Sequence, residues 1–251
     1  MQKGTLITPK NIPILAGAGE AKPLVYRQPE VTIFSTGTEL VEPAQKPLPF
    51  QIRNSNSYQM MAQLENMGIR PTYSGIILDD EEETRMKISA AMEKSELILL
   101  SGGVSMGDSD FIPAIIKELG FEILLTESAI QPGKPILFAS KGDVWCFGLA
   151  GNPVSSYVQT ELYVKHFIYR LMGYESRLQV QRSILGKEFT RKRTDRLKFV
   201  PAMLDSENNA HPVEFHGSAH IDAFSRVNCL VEIPIGVSMV KKGEKVNVRP
   251  V

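Results

Sequence analysis

Between residues 31 and 172 short apolar runs alternate with segments of helical period, and this alternation restricts the chain to few folds. VTIFS (31–35), TYSGIIL (72–78) and LILL (97–100) are aliphatic and β-branched, and read as strands. The first two are separated by SNSYQMMAQLENMG, where Met60, Met61, Leu64 and Met67 share one helical face, Ser55 or Asn56 stands at the N-cap and Gly68 closes the helix. Asp80 and Glu83 form a capping-box pattern that opens a helix to about Glu93, and a third helix from Phe111 to Leu119 stops at Gly120. EILLT, PILFA and VWCFGL follow, the last two joined by the turn at 140–143 as a hairpin at one sheet edge. A long helix from about Val154 to Met172 ends the series, with Val158, Leu162, Phe167, Ile168 and Leu171 on its apolar face. Parallel neighbours need crossover connections, so this order predicts an α/β fold of three layers: a mostly parallel sheet with helices on both faces. Ligands of such sheets bind outside the carboxyl ends of the strands.

The character changes after residue 175, where LKFVPAML, CLVEIPI and EKVNVRPV are short strand-like runs between polar turns, the pattern of a small all-β domain. The expected division is 29–175 and 176–251, with the first 28 residues a linker or the remnant of a preceding domain. Charge divides similarly: 15 basic and 20 acidic side chains precede residue 176, against 13 and 8 after it, for a net charge of zero. Neither half is basic enough to argue for nucleic acid, and the basic run at 191–198 reads as a solvated strand and turn. No apolar run reaches the roughly 18 residues that span a bilayer, and the first residues lack a signal peptide's apolar core, so the expected location is the cytoplasm, away from membranes. Cys146 and Cys229 sit inside apolar strands and read as buried thiols.

Four polar loops fall at strand ends: Ser35-Thr-Gly-Thr-Glu-Leu40, Leu78-Asp-Asp80, the LLSGGVSMGDSD segment from Leu99 to Asp110, and Leu149-Ala-Gly-Asn-Pro-Val-Ser155. Glycines after a strand and before a helix let backbone N–H groups converge on an anion, phosphate above all. Asp108 and Asp110 would repel a bare phosphate, so the segment suits a phosphate with a divalent cation held by Glu39, Asp108 and Asp110; the alternative is a tight turn with Asp110 as helix cap. Because glycine there serves backbone approach, Gly103→Val is expected to abolish nucleotide binding while costing much less in fold stability. Lys134, between prolines in QPGKP, is either a rigid anion contact or an exposed turn lysine. His211, His216 and His220 with Asp222 allow a zinc site, but no cysteine stands at metal-ligand spacing and scattered surface histidines are the simpler reading.

Taken in order and spacing, STGTEL, IRNSNSYQM, GIILDD, SGGVSMGDSDF, QPGKP and GLAGNPVSS resemble the molybdopterin molybdenumtransferase family, which includes bacterial MoeA and the gephyrin E domain. The resemblance spans 31–251, and Gly217-Ser-Ala-His-Ile221 and Leu230-Val-Glu-Ile-Pro-Ile-Gly236 look like motifs of that family's C-terminal domain. It implies a molybdopterin-binding, MogA-like α/β domain followed by a small all-β domain. It also implies Mg²⁺-dependent insertion of molybdate into adenylylated molybdopterin with release of AMP, by a homodimer whose partner closes the site, served by a molybdopterin adenylyltransferase. Carried over by motif, Thr36, Gly37, Gly102, Gly103, Ser105, Gly107, Lys134, Gly151, Asn152 and Ser155 would hold nucleotide and pterin. Glu39, Asp79 and Asp108 would be the catalytic acidic groups, with Glu39 and Asp108 on the metal. Two departures stand out: Thr38 where the family usually has Asp in TGDEL, and Ala150 where it has Pro in LPGNP. Family members also carry two further domains ahead of this region. The alternatives are molybdopterin adenylyltransferase activity, and a pterin-binding scaffold without turnover, which the lost carboxylate at Thr38 favours.

Overall fold

The computed structural model describes the chain apart from residues 105–110, 177–178 and 214–220 and the side chains of 221–223. It opens with a short helix α1 (Ile12–Gly17) that buries none of its residues. There follow β1 (Val31–Thr36), β2 (Leu40–Val41), β3 (Ile52–Arg53), α2 (Asn56–Glu65), β4 (Thr72–Ile77), α3 (Glu81–Met92), β5 (Leu97–Ser101) and α4 (Ile112–Glu118). Then come β6 (Glu122–Glu127), β7 (Ile130–Gln131), β8 (Pro135–Lys141), β9 (Val144–Leu149), α5 (Pro153–Gln159), a π-helical turn (Thr160–Val164) and α6 (Lys165–Leu171).

Six of these strands form one sheet in the order β4-β1-β5-β9-β8-β6. Strands β4, β1, β5 and β9 are parallel; β8 alone runs against them, and β6, antiparallel to β8, has the direction of the first four. The β8–β9 hairpin expected at a sheet edge therefore lies inside the sheet, because β6 covers the outer side of β8. The pleat divides the apolar runs between two cores. Phe34, Ile98 and Leu100 meet Ile88, Ile112, Ile115 and Ile116 on one face. On the other, Ile33, Leu97 and Leu99 meet Met60, Leu64, Val164 and Ile168. Complete burial of a Leu or Ile side chain stabilises by about 2 kcal/mol, so register here is strongly specified.

Local signals fix the helix starts. The Asp80 carboxylate accepts the Glu83 N–H at 2.7 Å, while the Glu83 carboxylate pairs with Lys87 at 2.7 Å, so the capping box is closed on one side only. At α2 the N-cap residue is Ser55, which makes no side-chain cap, and Asn56 is already helical. The final helix is not continuous. Its π turn adds residues without adding a full turn of phase, so the buried positions run Val154, Val158, Val164, Ile168 in place of an unbroken α-period, leaving Leu162 and Leu171 only partly buried.

The C-terminal region contains β10 (Gln181–Leu185), β11 (Phe189–Thr190), β12 (Leu197–Leu204), β13 (Asn209–Pro212), a 3₁₀ turn (Ile221–Arg226), β14 (Cys229–Ile233), β15 (Met239–Val240) and β16 (Lys245–Pro250). The order β13-β10-β16-β14-β12 returns to β13, so these strands close on themselves around Leu185, Val200, Ala202, Val231 and Val248. From the first sheet's side of the chain, β7 pairs in parallel with Leu197 and Lys198 at the start of β12, ahead of the stretch that pairs β13, and Ile130, Val158, Phe199 and Leu230 form a core between the two regions. Both cysteines are free and buried, and burial pushes the Cys146 thiol up to about 12 and Cys229 to about 11. The His211 Nε2 lies 2.9 Å from Asp205 Oδ2; His216, His220 and the Asp222 side chain lie outside the described residues. Among the described residues no cluster of potential metal ligands occurs and no helix is long and apolar enough to cross a membrane.

Candidate functional site

Because β1, β5 and β9 are parallel neighbours, the loops that follow them emerge side by side. They border a cleft of about 370 Å³ whose lining includes Thr36, Glu39, Gly102, Gly103, Gly151, Asn152 and Ser155, all singled out in the sequence, with Ser35, Arg53, Asn54, Asn56 and Ser101. Gly102 has φ +100°, and a Cβ there would sit 2.5 Å from the Thr36 carbonyl oxygen. A Cβ on Gly151 would lie 3.4 Å from the Gly102 Cα, so two of the loops meet backbone to backbone. Gly103 has φ +61°, and its Cβ would fall 3.0 Å from Thr36 Oγ1 and 3.1 Å from the buried Ile112. Gly103→Val therefore also carries a folding cost of its own, since it strains the backbone and crowds the core.

The cleft floor is a hydrogen-bond network that motif reading missed. Asn56 Nδ2 donates to Ser101 Oγ at 2.7 Å and to the Gly151 carbonyl at 2.8 Å, tying α2 to the ends of β5 and β9. Its Oδ1 is buried and has no hydrogen-bond partner. Ser35 Oγ donates to Asn54 Oδ1 at 2.8 Å, Asn54 Nδ2 to Tyr73 Oη at 2.9 Å, and Tyr73 Oη to Glu42 Oε1 at 2.5 Å. Burial, then Glu42, push the Tyr73 phenol far up, so it remains a donor. Gln159 joins the rims: it accepts the Ala150 N–H at 2.9 Å and donates to the carbonyls of Gly133 at 3.0 Å and Pro135 at 2.6 Å. The two asparagines were visible as part of IRNSNS, but Asn56 reads as a cap; Gln159 has no local signal, because its partners are distant in sequence.

Glu39 is exposed, and among the described residues its carboxylate has no hydrogen-bond or ion-pair partner. Gly37, with φ +143°, makes room for it, since a Cβ there would lie 2.5 Å from Glu39 Oε2. Asp79 is placed differently. Its Oδ2 accepts both the Thr38 N–H at 3.1 Å and the Thr38 hydroxyl at 2.8 Å, and it does not line the cleft. Lys134 is exposed and paired with Glu127 at 2.8 Å, while its neighbour Pro135 reaches the lining. Asn152 caps α5, its Oδ1 accepting the Ser155 N–H at 3.2 Å. Ser105, Gly107, Asp108 and Asp110 lie outside the described residues. The arrangement places a buried, unpaired carbonyl oxygen on Asn56 and one open carboxylate on Glu39 around a single concavity.

Fold and cleft together define an α/β protein with a polar cleft at its parallel strand ends. Residues 32–170 match the family described as "Probable molybdopterin binding domain", and residues 183–251 match "MoeA C-terminal region (domain IV)". The chain belongs to the molybdopterin molybdenumtransferase (MoeA) family. It is 34% identical to a molybdopterin molybdenumtransferase of Bacillus subtilis, over 99% of this chain and 58% of that protein. It is 31% identical to one of Haemophilus influenzae, over 100% of this chain and 63% of that protein. The crystal structure of a molybdopterin biosynthesis MoeA protein from Pyrococcus horikosii is similar over 100% of this chain and 61% of that one, with a TM-score of 0.85 at 29% identity. The chain thus spans less than two thirds of these relatives.

Proposed function

We propose that the cleft binds adenylylated molybdopterin and supports insertion of molybdate at its dithiolene with release of AMP, a step of molybdenum cofactor biosynthesis. The observation that carries this reading is the convergence of three strand-end loops, two of them touching through Gly102 and Gly151, on one cleft in a chain of this family. Those backbone N–H groups of the loops that are not already bonded within the protein hold phosphate, and Asn56 Oδ1 accepts an N–H of the ligand. The donor set fits Mg²⁺: Glu39 presents a carboxylate with no protein partner beside the phosphate-binding backbone, and Asp108 belongs to the same proposed pair by motif. Bound there, Mg²⁺ supplies neutralising charge to the phosphates. Asp79, held by Thr38, contributes a fixed negative charge at the rim.

The same reading takes 29–175 as the pterin-binding domain, 176–251 as the β domain and 1–28 as a linker or the remnant of a preceding domain, and has the protein work as a cytoplasmic homodimer receiving its substrate from a molybdopterin adenylyltransferase. Incubation with adenylylated molybdopterin, Mg²⁺ and molybdate, followed by AMP measurement, tests it. Release of AMP supports the transferase. Tight binding without AMP favours the scaffold, for which Thr38 bonded to Asp79 is the supporting observation; pyrophosphate production from ATP would replace both by an adenylyltransferase.

A further inference from the structure

A second cavity, about 250 Å³, shares no lining residue with the cleft. It lies where α6 meets β16, and Lys165, His166, Tyr169, Tyr174, Ser176 and Arg249 are in its wall. Two nitrogens there are buried without a hydrogen-bond partner, Arg249 Nη1 and His166 Nδ1. Glu161 is also in the wall and Glu232 stands behind Arg249, and both carboxylates are already engaged. Glu161 accepts from Lys165 at 2.7 Å and from Gln63 Nε2 at 2.6 Å, and Glu232 is held by Arg249 Nε and by Asn247 at 3.2 Å. Among the described wall residues, the buried polar atoms without a partner are the two nitrogens, both on cationic or protonatable side chains. A cation entering would meet Arg249 and Lys165, and an apolar occupant would leave the guanidinium N–H unmet.

We propose that this cavity is a binding site for a small oxyanion, a carboxylate or a tetrahedral oxyanion, that accepts hydrogen bonds from Arg249 Nη1 and His166 Nδ1 with Lys165 adding positive charge. The guanidinium is the anchor, since it stays charged and its Nε bond to Glu232 fixes its plane. Burial first, then Arg249 and Lys165, lower the His166 pKa, against the opposing pull of Glu161 on the same helical run. Glu232 faces this group from β14, through Arg249. An anion between them offsets the cationic neighbours, so binding raises the His166 pKa and takes up a proton. Because the wall draws on α6 and on β16, the anion also bridges the two sheets' regions.

The test uses the full chain, titrated with inorganic phosphate and separately with acetate, against sodium chloride at matched ionic strength. Backbone amide shifts at 161–169 and the His166 ring pKa are followed by NMR. Saturating shifts with either anion, and a raised His166 pKa at saturation, are expected; phosphate alone or acetate alone identifies the preferred geometry within the proposed class. Arg249→Lys keeps the charge and loses the fork, and weakens binding about tenfold or more. If that variant does not fold, His166→Gln carries the same expectation through the amide shifts. Shifts that never saturate, that chloride reproduces, or that the folded variants retain unchanged overturn the site.

Discussion

The strand-end loops of the α/β region and the turns of the closed β region use the same polar residue types to opposite ends. At the β12–β13 turn, Asp205 accepts the Asn209 N–H at 2.8 Å and meets His211 Nε2 at 2.9 Å, while Asn208 Nδ2 donates to the Arg182 carbonyl at 2.9 Å: these polar groups are satisfied within the turn and its neighbours. After β1, β5 and β9, by contrast, Asn56 Oδ1 is buried without a partner and the Glu39 carboxylate, among the described residues, is left open beside a cavity. The reason is topological. Strands that close on each other satisfy their edges mutually, whereas parallel strands deliver several loops to one side, where no further strand receives them. Unsatisfied hydrogen-bonding capacity, more than residue type, separates a site from a turn.

The largest expected effect that sharpens this contrast is at Gly102. Gly102→Val places a side chain against the Thr36 carbonyl and should cost about 3 kcal/mol in urea unfolding along with ligand binding. Gly243, at a β-region turn with φ +90° and open space around it, should lose only about 1 kcal/mol on change to Ala. Equal losses at the two glycines would erase the distinction. Next, Asn56→Ala unties Ser101 from Gly151 and should destabilise by about 1–3 kcal/mol while also weakening ligand binding; full affinity in a folded variant would remove Asn56 from the site.

Glu39→Gln should leave stability within about 0.5 kcal/mol, since Glu39 has no described partner to lose. Mg²⁺-dependent AMP release should fall by about tenfold or more, and an unchanged Mg²⁺ titration would reassign Glu39 to the solvent. Thr38→Asp has a smaller effect: it sets a second carboxylate beside Asp79, so Mg²⁺ affinity measured by calorimetry should rise a few-fold, with a slightly lower melting temperature when the ion is absent. The smallest effect belongs to the β region. The Asn209 backbone N–H, then His211, hold the Asp205 carboxyl at about 2, below its ordinary 3.8. Its contribution to stability is therefore complete above the ordinary carboxylate range and fades as pH falls toward 2; a carboxyl NMR titration centred near 3.8 would show the turn open.

Much of the α/β region was legible because its signals are local. LILL is buried on both faces and must be central, and Asp80 caps α3 through its own neighbours. The glycine loops were legible as a set, since successive parallel strands put them at one edge. The π turn at Thr160–Val164 was not, because it corrects the phase of a helix that fits two cores at once, and no single window of sequence contains both. QRSIL and NAHP lack an apolar run, and β10 and β13 exist through the closure of the β region. Asn56 and Gln159 were hidden for a related reason: each acts on backbone carbonyls delivered from other strands.

The short strand β7 gives the molecule a mechanical property. Only two residues long, it lies along β12 and runs directly into the 132–135 segment, which Gln159 clamps through Gly133 and Pro135 and which ends at the cleft lining. The C-terminal region is thereby tied to the rim of the cleft through β12, β7 and the 132–135 segment, without contributing a described side chain to the lining, so a tilt of the β region would reach that rim through this one short strand.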